Sequence, residues 1–451
     1  MQSRAVSRRQ VLGAMMAAGA AAVTGCGGPG GSARSTVATA VRRAGSRPDP
    51  RHPVGTDLLP QIDHIVLVVL ENHSFDNVLG MLGRGDGLQR DAAGRPTATN
   101  PGADGKIVHA FAMPTPCQLR GRPSQTWNDS HIQYDHGTNQ GFVRSASGPV
   151  AMGYLTAADL PFTWGLARTF PIGDRYFSSV MAQTYPNRCY LTAGTSLGLV
   201  SDAFPAELPP NGTIFELLGR HGISWRNYYS SLPSAFIWKS LIGRPDIDPN
   251  IRPITDLYAD AAAGRLPAFS LVDPNFGTSS EEDPQDVQYG DVFLSQVVRS
   301  VLHGPRWPRT LLIWTYDEHG GYFDHVPPPA AVRPDRIGPD IAVPPDQPGT
   351  FGRYGFRVPF GIVSPYARPD YVSHVVHDHT SVLKLLETKW NLPALTDRDA
   401  NADDLLDSLD LVGAPSFLVP PPLPVPANPA SSSCETTGPG TIPPPGAVTA
   451  A

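Results

Sequence analysis

Four apolar runs of strand length stand in the middle of this chain, none with strict polar alternation. Ile62–Leu70 (IDHIVLVVL), Phe269–Asp273 (FSLVD), Leu311–Tyr316 (LLIWTY) and Val358–Ser364 (VPFGIVS) are rich in β-branched and aromatic residues. Runs apolar at successive positions read as strands covered on both faces. Between them, apolar residues recur at helical spacing. Thr213–His221, Tyr289–Leu302 and Thr380–Trp390 are the main helical segments. In the last, Val382, Leu385, Leu386 and Trp390 share one face, and Thr380 or Ser381 is placed to cap the start. Strands alternating with helices predict an α/β fold, with a mostly parallel central sheet and helices on both faces.

The residues just after these strands carry the chemistry. Ile62–Leu70 runs directly into Glu71-Asn72, Leu311–Tyr316 runs into Asp317-Glu318, and FSLV runs into Asp273. Open parallel sheets bind ligands beyond the carboxyl ends of their strands. Two acidic pairs, far apart in sequence, are thereby directed to one edge of the sheet. Oxygen-rich clusters of this kind hold hard or borderline divalent cations. Between the pairs lies Gln183-Thr184-Tyr185-Pro186-Asn187-Arg188, where Pro186 fits the first turn of a helix continuing through Cys189–Ala193. Thr184 then stands just before a helix N-terminus, whose partial positive charge favours an alkoxide or a phosphate. A Thr hydroxyl needs a metal or an adjacent base to become a nucleophile. Each feature alone also has a structural reading: a solvated loop carboxylate, or a helix cap.

Composition changes the picture mainly at the ends. Of 451 residues, 49 are Pro, and only 17% are charged against roughly 25% in ordinary globular chains. The 41% hydrophobic share is ample for a core, so the proline excess belongs in tails and loops. With 35 basic and 41 acidic residues the net charge is -6, which excludes nucleic-acid binding as the default reading. Ser7-Arg8-Arg9-Gln10-Val11-Leu12 is a twin-arginine pattern. An Ala-rich stretch from Gly13 to Ala22 follows, then Val23-Thr24-Gly25-Cys26. This is the layout of an export signal over residues 1–25, and it resembles a lipoprotein signal in which Cys26 is lipidated and attaches the protein to the membrane. The apolar stretch is too short to span a bilayer.

The expected organisation is a signal (1–25), a flexible tether (26–58), a catalytic domain (59–400) and a Pro-rich tail (401–451), surface-hugging or disordered. The expected location is the cell envelope, lipid-anchored or secreted. Besides Cys26 the chain has Cys117, Cys189 and Cys434. Cys117–Cys189 is a candidate disulfide in an exported protein, one of the pairings that spacing leaves open.

Four motifs carry a family resemblance. LENHSFDNVLG (Leu70–Gly80), FPIGDRYFSSVMAQTYPNRCYLTAGT (Phe170–Thr195), TYDEHGGYFDHVPPP (Thr315–Pro329) and HDHTSVLKLLE (His377–Glu387) occur in this order. They resemble the bacterial phosphoesterase family that includes phosphatidylcholine-type phospholipases C and a related acid phosphatase. The resemblance spans about Ile62 to Leu392. It implies the alkaline-phosphatase-like α/β sandwich. It also implies a divalent metal ion bound by Glu71, Asn72, Asp317 and Glu318, with Thr184 as the nucleophile. Many members carry a His at the position of Gln125, in a segment where His131 is retained, and a His at the position of Asp283. Those histidines line the phosphate site or donate protons, so their replacement bears on substrate class.

The expected chemistry is hydrolysis of a phosphate ester, including phospholipid, through a phosphothreonine intermediate. His131 is the candidate proton donor, and Arg188, Asp283, His325 and His379 are candidate substrate-binding residues. The alternatives are a phosphomonoesterase of acid-phosphatase type and a non-catalytic surface lipoprotein that binds phosphorylated ligands. A sulfatase of the same superfold is weaker, since Thr184 is neither the Cys nor the Ser which that chemistry modifies.

Overall fold

The apolar runs become the centre of one sheet. In the computed structural model, which describes residues 41–117, 123–429 and 434, eight strands pair side by side. In chain order they are β1 (His64–Leu70), β2 (Ile172–Gly173), β3 (Trp225–Tyr229), β4 (Ile251–Pro253), β5 (Phe269–Asp273), β6 (Thr310–Tyr316), β7 (Phe360–Val363) and β8 (Val372–Ser373). Their spatial order is β8-β2-β7-β6-β1-β5-β3-β4. From β6 through β4 every pairing is parallel, whereas β7 runs antiparallel to both β6 and β2. Every residue of β5 and β6 is buried, as is β1 from Ile65 onward. This is why these strands read as continuous apolar runs.

Among the described residues nine α-helices accompany the sheet: α1 (Phe75–Leu79), α2 (Trp127–Tyr134), α3 (Pro161–Thr169), α4 (Thr184–Ala193), α5 (Ile214–Arg220), α6 (Ile254–Ala262), α7 (Val287–Leu302), α8 (His379–Trp390) and α9 (Asp397–Ala400). The expected helices match α5, α7 and α8 to within two residues. The expected α8 cap does not. Asp378 is the cap, its carboxylate accepting from the backbone of Ser381 while the Ser381 hydroxyl accepts from Asp378 N. A carboxylate also complements the positive end of the helix. Among the described residues no helix is long and apolar enough to cross a membrane.

The ends of the folded unit lie further out than expected. The signal, Cys26 and the tether up to residue 40 fall outside the described residues. From Val41 onward the chain is held on the surface. Arg42 N donates to Asn401 Oδ1 at 2.9 Å, and Asn391 Nδ2 donates to Asp49 O and His52 O, both at 2.8 Å. The flexible-tether reading of 26–58 therefore does not apply to 41–58. Residues 401–429 are packed as well. Leu409 is buried, Trp307 Nε1 donates to Phe417 O at 3.0 Å, and Arg299 donates to Pro424 O at 2.8 Å. Of the two expectations for the tail, this stretch is surface-hugging.

The expected Cys117–Cys189 pairing is corrected: Cys117 is bonded to Cys434, and Cys189 is a free, buried thiol in α4. The inward face of α4 carries Cys189 into the core, whereas Cys117 lies at a short bridge to Asp286, where the returning tail reaches it.

Candidate active site

Strand register builds the site. Leu70 in β1 is directly opposite Tyr316 in β6, so Glu71-Asn72 and Asp317-Glu318 leave the sheet side by side. Asp317 N donates to Leu70 O at 3.1 Å across that junction. On the other side of β1, β5 ends at Asp273. Three neighbouring parallel strands thus bring acids to one edge, as their sequence positions suggested.

Two left-handed turns fix the acids. Asn72 has φ 69° and Gly320 has φ 65°, and a Cβ on Gly320 would lie 1.8 Å from Asn72 O. The two turns pack backbone to backbone, which only glycine allows at position 320. Gly320 N then donates to Glu318 Oε2 at 2.7 Å. Asp317 Oδ1 accepts from Glu318 N at 2.8 Å and Asn72 N at 3.3 Å. His319 closes this side, with Nε2 2.7 Å from Gln133 Oε1 and Nδ1 3.3 Å from Glu318 Oε2. Burial presses the His319 pKa down to about 3, keeping the ring neutral.

Thr184 faces the same acids from α4. It is the first residue of the helix, one position further in than expected. The cap position is Gln183, whose side chain makes no capping bond. Thr184 is therefore not a helix cap. Its hydroxyl is buried and donates to Asn72 Oδ1 at 3.3 Å. Asn187 pins the approach to the helix: its Oδ1 accepts from Ser179 N and Val180 N at 2.9 and 3.1 Å.

Arg188, a candidate substrate-binding residue, lines the Thr184 cavity and is engaged by the acids around it. It is fully buried, and its donors are directed to protein acids: Nε to Asp317 Oδ2 at 3.2 Å and Nη1 to Asp273 Oδ1 at 2.9 Å, with Nη2 3.4 Å from Glu71 Oε1. Asp273 is itself held by Ser234 N and Oγ and by Asn227 Nδ2, at 2.6–2.7 Å. Arg188 thus locks the carboxylates in place.

The electrostatics suit a cation. Glu71, Asp273, Asp317 and Glu318 are four buried acids, and a single arginine, Arg188, pairs with the first three. Burial and the Asp317 charge push the Glu71 carboxyl well above the usual range, against the pull of Arg188. Burial and Asp317 do the same to Glu318. The Asn72 amide can be turned two ways. With its nitrogen inward it donates to Asp317 Oδ1 at 3.1 Å and Glu318 Oε1 at 2.6 Å. With its oxygen inward it accepts from Thr184 but confronts two carboxylate oxygens, an arrangement favourable only around a positive charge. This donor set is all oxygen and in excess negative charge, so it fits a hard divalent cation.

Among the described residues, one tighter cluster has its ligand atoms all within 4.8 Å: Asp76, Asp324 and His325. It is already neutralised from within. Buried Arg357 donates to Asp324 Oδ1 at 2.8 Å and Asp76 Oδ1 at 3.1 Å, and His325 Nδ1 lies 2.7 Å from Asp76 Oδ2. His325, expected to bind substrate, belongs to this network. Burial lowers its pKa, but the Asp76 hydrogen bond and the charges of Asp76 and Asp324 outweigh that and raise it. A raised folded-state pKa gives stability that is complete below about 6.5 and is lost as pH rises through the raised value. Melting temperatures of the wild type are therefore expected to fall from pH 6.5 upward by more than those of His325→Asn, and parallel curves would refute this role.

The other expected residues are also placed. His379 is buried, with Nε2 2.6 Å from Asp317 O and Nδ1 3.3 Å from Tyr176 Oη. It orients the Asp317 backbone. Asp283 Oδ2 accepts from Tyr322 Oη at 2.8 Å, and Tyr322 stacks on His73. The residue beside it, Glu282, lines the cavity that Asp283 was expected to serve, and its interaction with Glu71 helps to raise the Glu71 pKa. Sequence reasoning missed Glu282, although the loop after β5 was the signal for it. His131 lines a different cavity of about 500 Å³, with Nδ1 2.7 Å from Trp127 O. It is not among the residues that line the Thr184 cavity. The Thr184 cavity has about 440 Å³ and is bounded by Glu71, Arg188, Asp202 and Glu282 at its polar end and by apolar walls.

Comparisons with known proteins agree on the family. The Phosphoesterase family model matches residues 62–393. Phospholipase C A of Mycobacterium tuberculosis is 31% identical over 480 residues, covering 92% of this chain and 86% of that protein. Non-specific phospholipase C1 of Arabidopsis thaliana is 30% identical over 374 residues, covering 75% of this chain and 69% of that one. A solved alkaline phosphatase superfamily protein from Vibrio parahaemolyticus superposes with a TM-score of 0.43 at 13% identity, covering 79% of this chain and 72% of that one.

Proposed function

We propose, for a chain that belongs to the phosphoesterase family, that Thr184 is the nucleophile of a metal-dependent, phospholipase C-like hydrolase acting on phosphate esters. The relatives named as phospholipases C support the reaction class. The observation that carries the residue assignment is the Thr184 hydroxyl at the first position of α4, 3.3 Å from Asn72 Oδ1, in the same cavity as Glu71.

A divalent cation held by Glu71, Asn72, Asp317 and Glu318 would supply Lewis-acid acidification of the Thr184 hydroxyl. The chain's own residues do the rest. Arg188 holds Glu71 and Asp317 in place, and His379 and Gly320 fix the backbone and carboxylate orientations. The N-terminus of α4 faces the charge that develops on phosphorus. Thr184 Oγ1 forms a bond to phosphorus as the bond to the leaving alcohol breaks, and the alcohol takes up a proton. Water then attacks the phosphothreonine, releasing the phosphorylated product and restoring the hydroxyl.

The same reading includes export to the cell envelope through residues 1–25 and attachment through lipidated Cys26. Cell fractionation of wild type and Cys26→Ala tests that part.

Chelation is expected to lower activity on phosphatidylcholine or on an aryl phosphate about a hundredfold or more, with recovery on adding back a divalent cation. Asp317→Asn is expected to lose activity without recovery. Full activity under chelation would remove the cation from the reaction.

A further inference from the structure

We infer that the mouth of the Thr184 cavity is an interfacial docking surface for a phospholipid bilayer, an inference that rests on the phosphoesterase reading above. Phe204, Leu232 and Ile242 are 43%, 59% and 53% exposed, and all three line the cavity that holds Thr184 and Glu71. Scattered exposed apolar side chains are ordinary, but several at one opening mark an interaction surface.

The rim is held firmly. Within 231–242 the chain buries Ile237, Trp238 and Leu241 and leaves Leu232 and Ile242 outside. Ser234 is tied to Asp273 through its backbone and its hydroxyl, and Ser231 Oγ accepts from Phe276 N at 3.0 Å. The exposed side chains therefore project from a backbone anchored on the active-site acids.

The chemistry of the rim is that of the headgroup level. Lys239 is exposed, and its ammonium lies 4.2 Å from the Phe204 ring centroid. An exposed lysine whose ammonium rests on an exposed aromatic ring sets a positive charge beside apolar side chains at the rim, which matches lipid phosphates next to acyl chains. Phe236 and Phe276 continue the apolar wall inward from the rim. A lipid partly raised from a bilayer thus keeps apolar contact while its phosphate reaches Thr184. A protein seated on the rim would close the opening through which substrate enters, whereas a bilayer presents the scissile phosphate itself.

The test uses the full chain and vesicles of phosphatidylcholine with a minor fraction of phosphatidylglycerol. Vesicle co-sedimentation is measured for wild type, for the double variant Leu232→Ser/Ile242→Ser, and for both in a Thr184→Ala background that cannot turn over. The double variant is expected to bind vesicles roughly a hundredfold more weakly. Its ratio of activity on vesicles to activity on a water-soluble aryl phosphate is expected to fall in step, with an unchanged melting temperature. Equal vesicle binding by the double variant, or no binding by the wild type, overturns the docking surface. Rim-dependent binding without hydrolysis of any phosphate ester overturns the phosphoesterase reading and leaves the docking surface standing.

Discussion

Thr184→Ala is expected to lower hydrolysis of phosphate esters roughly ten-thousandfold or more, the scale seen when a covalent nucleophile is removed. The fold should barely register the change. Thr184 is the first residue of α4, its hydroxyl's contact is a 3.3 Å bond to Asn72, and Gln183 rather than Thr184 occupies the cap position. The loss in stability should be about 1 kcal/mol or less. Thr184→Ser keeps an oxygen at the same helix position and should retain part of the activity. Intact-mass measurement during turnover of a slow substrate should find one phosphoryl group on the wild-type chain and none on Thr184→Ala. An alanine variant with wild-type turnover would mean that another group attacks phosphorus.

Arg188→Met is expected to cost about 3–5 kcal/mol, because it strips the shared cation from buried carboxylates. Glu71, Asp273 and Asp317 all contact this guanidinium, and all three are buried. Arg188→Lys should be only partly restorative, since one ammonium cannot reach three carboxylates as a planar fork does. Adding Asp273→Asn to Arg188→Met should recover part of the loss by removing one orphaned charge. Urea unfolding of the three variants reads these differences. Wild-type stability in Arg188→Met would show that the acids do not depend on the arginine.

Much of the site was legible because strands and the residues just beyond them are contiguous in sequence. A run such as Val66–Leu70 can be buried on both faces only in the middle of a sheet, so Glu71 had to emerge at a strand end. The same logic placed Asp317 and Glu318, and the parallel register of Leu70 with Tyr316 then brought the pairs together. Histidines were less readable. His131, His325 and His379 have similar local settings, yet one lines a separate cavity, one joins an arginine–aspartate network and one holds the Asp317 carbonyl. Their roles depend on partners from 4 to 249 residues away.

The sequence by itself determined the central strands, the helices α5, α7 and α8, and the placement of acids and a hydroxyl at the edge of the sheet. These follow from periodicity and from chain continuity, which are local properties. The tertiary structure alone decided that Arg188 serves carboxylates, that Cys117 meets Cys434, that residues 41–58 pack on the domain, and that Glu282 enters the site where Asp283 was expected. Each of these is settled by which distant segment supplies the opposing charge, thiol or surface, and that information exists only once the chain has closed on itself.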